Sequence, residues 1–157
     1  MTARHVIDSP IGPLGLVADA AGRALAAVEF DAGPPSSTPA PAGVLADAAS
    51  QLAEYFRGER REFTVPLEPA GTEFQQRVWG ELRAIAYGAT DTYGAIAGRL
   101  GLTGHGARAV GAANGANPIP VIVQCHRVVG ASGRLTGYAG GLERKRALLA
   151  LEGATLV

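Results

Sequence analysis

The stretch Tyr93-Gly94-Ala95-Ile96-Ala97-Gly98-Arg99-Leu100-Gly101-Leu102-Thr103-Gly104-His105-Gly106-Ala107-Arg108-Ala109-Val110-Gly111-Ala112-Ala113-Asn114 decides how the chain is read. Residues 93–100 and 107–114 are two short helical segments around a glycine-containing turn, the pattern of a helix-turn-helix. The second segment is built from small residues. It is weak as an isolated helix, but it allows very close approach to another surface, either protein or a narrow groove. Gly104-His105-Gly106-Ala107-Arg108-Ala109 formally matches a dinucleotide-binding fingerprint. No strand precedes it, and no acidic residue stands about twenty positions on to hold a ribose, so that reading is excluded.

On the N-terminal side, Thr72 and Gln75 form a capping-box pair. Phe74, Val78, Trp79, Leu82 and Ile85 then line one helical stripe. Pro69-Ala70-Gly71 is a natural boundary, dividing the chain into domains 1–70 and 71–157. In the first, apolar runs at Val6-Ile7, 14–17 and 24–30 alternate with turn-forming sets and predict short strands. A Pro-rich exposed loop over 31–43 leads to a helix over 44–56, with Leu45, Ala48, Ala49, Leu52 and Phe56 on one face. Residues 63–67 are a further candidate strand. The expected fold is an α/β N-terminal domain, a small antiparallel sheet with a helix, followed by a mainly α C-terminal domain carrying the helix-turn-helix.

On the C-terminal side, Asn117-Pro118-Ile119-Pro120 interrupts the helical pattern. Val121-Ile122-Val123 predicts a buried strand running into Gln124-Cys125-His126-Arg127. Residues 130–141 contain five glycines and predict a loop, and 142–151 a closing helix.

Composition narrows the classes. With 157 residues, 47% of them hydrophobic and 18% charged, the chain is globular rather than disordered. No apolar run approaches a membrane span, and the first residues lack a signal-peptide core, so a soluble cytoplasmic protein is expected. One cysteine excludes an internal disulfide and a multi-thiolate zinc site, and the three histidines are scattered; no metal is expected. The net charge of zero conceals an asymmetry. Residues 1–70 hold five arginines against nine acids, and residues 71–157 hold nine cations against five acids. A basic second half fits an anionic partner, although solvated surface charge explains the count equally well.

The single cysteine is the candidate nucleophile. A thiol near its ordinary pKa is only a few per cent ionised at neutral pH, so it needs a base or positive surroundings. His126 and Arg127 adjoin it, but neighbours on a strand face opposite ways, so Cys125 and His126 pair directly only if the backbone turns there. A small buried hydrophobe is the competing reading of Cys125.

Cys125-His126-Arg127-Val128, preceded by Asn117-Pro118 and followed by Gly137-Tyr138-Ala139-Gly140-Gly141, resembles the O6-alkylguanine-DNA alkyltransferases. The likeness extends upstream through Arg108-Ala109-Val110-Gly111, Tyr93-Gly94-Ala95-Ile96-Ala97, 71–79 and Ser9-Pro10-Ile11-Gly12-Pro13-Leu14. It covers nearly the whole chain.

The resemblance implies direct-reversal repair of double-stranded DNA containing O6-alkylguanine, with O4-methylthymine as a second candidate lesion, by a protein without cofactor, monomeric in solution. The helix from Ala107, with Ala109 and Gly111, would lie in the minor groove, and Arg108 would fill the stack when the base is flipped out. Cys125 would take the alkyl group irreversibly, once per molecule. His126 would accept the thiol proton through a water, and Glu152 would orient His126. Tyr93 would donate to the guanine ring nitrogen, and Asn117 would hold the turn before the nucleophile. Tyr138, Ala139, Gly140 and Val128 would wall the pocket.

Two positions depart from the family pattern. Gln124 stands where proline is usual before the nucleophile, and Ile85-Ala86-Tyr87-Gly88 replaces Ile-Pro-Tyr-Gly. A non-catalytic lesion-binding sensor and a cysteine hydrolase built on Cys125, His126 and Glu152 are the competing functions. Relatives of the sensor kind lack the cysteine.

Overall fold

A computed structural model describes residues 3–154, which divide into two compact units after Ala70. In the first unit, β1 (Arg4–Ile7), β2 (Leu14–Ala18) and β3 (Leu25–Phe30) form an antiparallel meander in the order β1-β2-β3. Arg4 faces Val17, and Leu14 faces both Ile7 and Phe30. The first turn is held by Ser9, whose Oγ accepts from Ile11 N (3.2 Å) and donates to the Gly12 carbonyl (2.6 Å). The second rests on Asp19, whose Oδ1 accepts from Arg23 N at 2.9 Å. Helix α1 (Val44–Phe56) lays Leu45, Ala48, Leu52 and Tyr55 on the sheet, and all four are buried.

The Pro-rich segment is mostly exposed, as its composition predicts, yet Ser36 ties it to the outer edge of β1. Its N–H donates to the Val6 carbonyl (2.9 Å) and its Oγ accepts from Val6 N (3.0 Å). This covers part of an edge that would otherwise be open to another strand. Residues 63–67 do not form the expected strand. Only Leu67 bridges to Leu25, because Pro66 has no N–H with which to continue a ladder.

The second unit opens with α2 (Glu73–Arg83). Thr72 caps it through a complete capping box: Gln75 N donates to Thr72 Oγ1 (3.1 Å), and Thr72 N donates to Gln75 Oε1 (2.9 Å). Two-residue β4 (Asp91–Thr92) leads directly into α3 (Tyr93–Arg99), which Thr92 caps through Ala95 N. Then α4 (Gly106–Gly115) packs back on α3 across a turn at residues 100–105. Close packing at this corner needs glycine: a Cβ on Gly106 would stand 2.7 Å from that of Leu102. Trp79 holds α4 to α2 by donating Nε1–H to the Ala113 carbonyl at 2.8 Å, with its ring only 2% exposed. Short β5 (Val128–Val129) pairs in parallel with β4, and α5 (Leu142–Leu151) closes the unit.

The expected strand at Val121–Val123 is absent. These residues turn, Val121 adopts φ +73°, and Val123 N reaches back to the Ile119 carbonyl at 2.9 Å. All three side chains are buried. The apolar run therefore signals burial and not extension, an ambiguity that a three-residue run cannot resolve.

Candidate active site

The backbone does turn at the cysteine. Cys125–Arg127 is a single turn of 3-10 helix, closed by Arg127 N donating to the Gln124 carbonyl at 3.1 Å. Strand alternation therefore does not govern Cys125 and His126, and both side chains point into buried surroundings. Gln124 begins the turn at φ −81°, near the value a proline ring imposes, so it keeps a proline-like φ at this position. Its Oε1 is buried without a hydrogen-bond partner among the described residues.

Asn117 shapes the segment before Cys125. Its Nδ2 donates to the Val123 carbonyl (2.9 Å) and its Oδ1 accepts from Ile119 N (3.0 Å). The thiol itself is 3% exposed. Burial pushes its pKa above the ordinary value, while hydrogen bonds from Asn117 and Tyr138 and the positive charge of Lys145 pull the other way. The thiol is accordingly held protonated at rest, in a setting that stabilises the thiolate once a base takes the proton.

His126 is the candidate base beside it. Its Nε2 lies 2.7 Å from Glu152 Oε2, with both side chains wholly buried. A carboxylate only accepts, so Nε2 carries the hydrogen and Nδ1 carries the lone pair. Nδ1 has no hydrogen-bond partner among the described residues. Burial pushes the imidazole pKa down, against the opposing pull of Glu152, so the ring is neutral and able to accept a proton.

Two residues outside the expected set complete the buried cluster. Arg127 donates Nε–H to Glu152 Oε1 (2.8 Å), Nη2–H to Oε2 (3.1 Å) and Nη1–H to the Ile85 carbonyl (2.6 Å). Glu152 is thus clamped by a guanidinium while it orients His126. Lys145, one of the nine cations of the second half, is fully buried, and its Nζ donates to the Thr136 carbonyl at 3.2 Å. Burial brings its pKa down to about 8. A cation inside an otherwise apolar helix face is a signal that sequence reasoning could have weighed, since lysine is almost never fully buried without a purpose.

Beside the thiol, a cleft of about 400 Å³ is lined by Tyr93, Gly111, Asn114, Gly115, Gly137, Tyr138 and Ala139. The structure therefore brings Tyr93, Gly111, Tyr138 and Ala139 together, while Cys125 is joined to the cleft wall through its carbonyl, which accepts from Asn114. Gly140 and Val128 are not among the lining residues. The Gly140 carbonyl accepts from Arg144, and Val128 is fully buried in β5. The Tyr93 hydroxyl shares a hydrogen bond with Thr136 Oγ1 at 2.8 Å. Ala107, Arg108 and Ala109 lie exposed on α4. A Cβ at Gly111 would meet only the Tyr93 ring, at an ordinary 3.8 Å, so internal packing does not require that glycine. Among the described residues, no group of three or more His, Cys, Asp or Glu side chains could hold a metal ion. Nor is any helix among them long and apolar enough to cross a membrane.

Comparison with known proteins places the chain in a family. Residues 3–69 match the 6-O-methylguanine DNA methyltransferase ribonuclease-like domain, and residues 73–154 match the DNA binding domain of the same family. The methylated-DNA–protein-cysteine methyltransferase of Mycobacterium tuberculosis H37Rv is 54% identical over 151 residues, 94% of this chain and 90% of the relative. The one from Methanosarcina acetivorans is 48% identical over 154 residues, 95% and 97% of the two chains. The crystal structure of Mycobacterium tuberculosis OGT in complex with DNA superposes with a TM-score of 0.84 at 52% identity, covering 96% of this chain and 92% of that one. With both halves matched in order and the cysteine turn assembled around a buried base, the chain belongs to the O6-methylguanine DNA methyltransferase family.

Proposed function

We propose that this protein repairs alkylated DNA by moving the alkyl group of O6-alkylguanine onto its own Cys125, once per molecule. One observation carries the reading. The buried Cys125 shares a single 3-10 turn with a neutral, Glu152-oriented His126, and the Cys125 carbonyl is held by Asn114 on the wall of a cleft that α4 borders.

The small, exposed face of α4 suits the minor groove, where shape is read more readily than sequence. Arg108, exposed on that face, fills the stack when the damaged base turns out into the cleft. The base lies along Tyr93, Gly111 and Asn114, with Tyr138 and Ala139 opposite. Cys125 Sγ then attacks the alkyl carbon in line. The S–C bond forms as the C–O6 bond breaks, and the electron pair leaves on the purine. Nδ1 of His126 makes no direct bond to Sγ, so the thiol proton reaches it across one bridging water. Tyr93 donates its O–H to the ring nitrogen where negative charge develops, improving the leaving group. Lys145 favours the thiolate as it forms.

No group in the cluster is placed to remove the alkyl group from the thioether, so each chain acts once, as a monomer on its lesion. A cysteine hydrolase fits less well, because Nδ1 and Sγ lack the direct bond of an activated nucleophile pair. A sensor has no use for the buried thiol and its base.

Intact-protein mass spectrometry after incubation with an O6-methylguanine oligonucleotide tests the reading. One added methyl on Cys125, reaching one per protein and stopping, is expected. Unchanged mass with tight lesion binding would instead establish a sensor.

A further inference from the structure

Asn114 enters the mechanism above only as part of the cleft wall, yet its side chain is polar and 4% exposed. Its Nδ2 donates to the Cys125 carbonyl at 3.4 Å. A carbonyl only accepts, so this contact fixes which end of the amide is nitrogen and turns Oδ1 the other way. Oδ1 is buried and has no hydrogen-bond partner among the described residues. A buried acceptor left unpaired is costly, and such groups persist where a ligand satisfies them.

Position says which ligand group. Gly111 and Asn114 are three residues apart and therefore neighbours on one face of α4. The Tyr93 ring lies against Gly111, 3.8 Å from where a Cβ would be. Tyr93, a donor, and Asn114, an acceptor, thus flank one wall of the cleft. O6-alkylguanine presents a matching pair on adjacent ring positions: N3 accepts, and the exocyclic 2-amino group donates. Alkylation at O6 removes the hydrogen from N1, which leaves that amino group as the donor on this edge.

Resting on the repair reading, we infer that Asn114 Oδ1 accepts a hydrogen bond from the guanine 2-amino group and is a specificity-determining residue for the base. A site built to bond a polar group rejects the analogue lacking it, because its own buried atom is then left unpaired.

The test compares duplex oligonucleotides carrying O6-methylguanine with others carrying O6-methylhypoxanthine, which lacks only the 2-amino group. Rates of methyl transfer to Cys125 are followed by mass spectrometry for the natural protein and for Asn114→Leu. The natural protein is expected to prefer O6-methylguanine about tenfold, and Asn114→Leu to bring the two rates within about twofold of each other. A preference unchanged by the substitution overturns the inference, since a purely structural role would slow both substrates alike. Should Asn114→Leu not fold, the affinities of the Cys125→Ser protein for the two oligonucleotides decide the matter, free of any difference in leaving-group chemistry. Equal affinities overturn the inference and about tenfold tighter binding of O6-methylguanine supports it. Absence of transfer from either oligonucleotide to the natural protein overturns the repair reading itself, a distinct outcome.

Discussion

His126 and Arg127, consecutive in the chain, bind one buried carboxylate: Glu152 Oε2 lies 2.7 Å from His126 Nε2, and Arg127 spans both oxygens, with Nε 2.8 Å from Oε1 and Nη2 3.1 Å from Oε2. The carboxylate orients the imidazole, while the guanidinium balances its charge. A neutral base beside a buried thiol is the consequence.

Replacing His126 by Ala is expected to slow methyl transfer by about 10²–10⁴-fold, the usual worth of a positioned general base. Affinity for lesion DNA should stay within about threefold. Time-resolved mass spectrometry gives the rate and fluorescence anisotropy the affinity; a full rate with Ala at this position would remove His126 from the mechanism.

Glu152→Ala goes further, because it strands Arg127, 2% exposed, without its counter-charge. A loss of about 3–5 kcal/mol in unfolding free energy is expected from urea titration. Glu152→Gln keeps an acceptor for one neighbour and should lose less.

Lys145 makes stability depend on pH in a predictable direction. Its folded pKa of about 8 lies below the ordinary 10.5, so above pH 8 the unfolded chain binds more protons than the folded one. Stability should therefore rise between pH 8 and 9, with a slope of at most about 1.4 kcal/mol per unit. Cys125, whose folded pKa is raised from 9.0, opposes the trend only above that value. Lys145→Met should flatten the slope in urea melts across this window and slow methyl transfer at neutral pH. An identical slope in the variant would show that some other group titrates.

Arg108→Ala should reduce repair of a lesion in duplex DNA at least tenfold more than reaction with free O6-benzylguanine. Only the duplex substrate requires the vacated stack to be filled. Equal losses on both substrates would contradict that role.

Two glycines on or near α2 should respond in opposite directions. A Cβ on Gly71 would stand 2.3 Å from the Trp79 ring, so Gly71→Ala should cost about 1–3 kcal/mol. Gly80, inside α2 with nothing within 4 Å of a Cβ, should gain about 1 kcal/mol as Ala. Urea midpoints for the two variants provide the comparison.

Much of this architecture is decided by local chemistry, which a sequence displays directly. The capping box at Thr72 and Gln75, the stripe ending in Trp79, the turn sets around Ser9 and Asp19 and the helix over 44–56 all depend on residues close together in the chain. The motifs around Cys125 likewise carry the family in their order and spacing. Where the forces are long-range, the sequence is silent or ambiguous. Val121–Val123 reads as a strand because apolar residues mark burial, but the Asn117 side chain, holding Ile119 N and the Val123 carbonyl, bends it into a turn. Lys145 is one cation among nine in the second half until folding buries it where its charge acts on the thiol, and Arg127 reads as a cation beside Cys125 until Glu152, 25 residues later, closes on it. Asn114 looks like the end of a helix until the cleft forms around it. Sequence alone determined the helices, the turns and which residue is the candidate nucleophile. Only the tertiary structure decided which charges are buried and which polar atoms are left unpaired, since desolvation and hydrogen bonding depend on neighbours that chain order does not reveal.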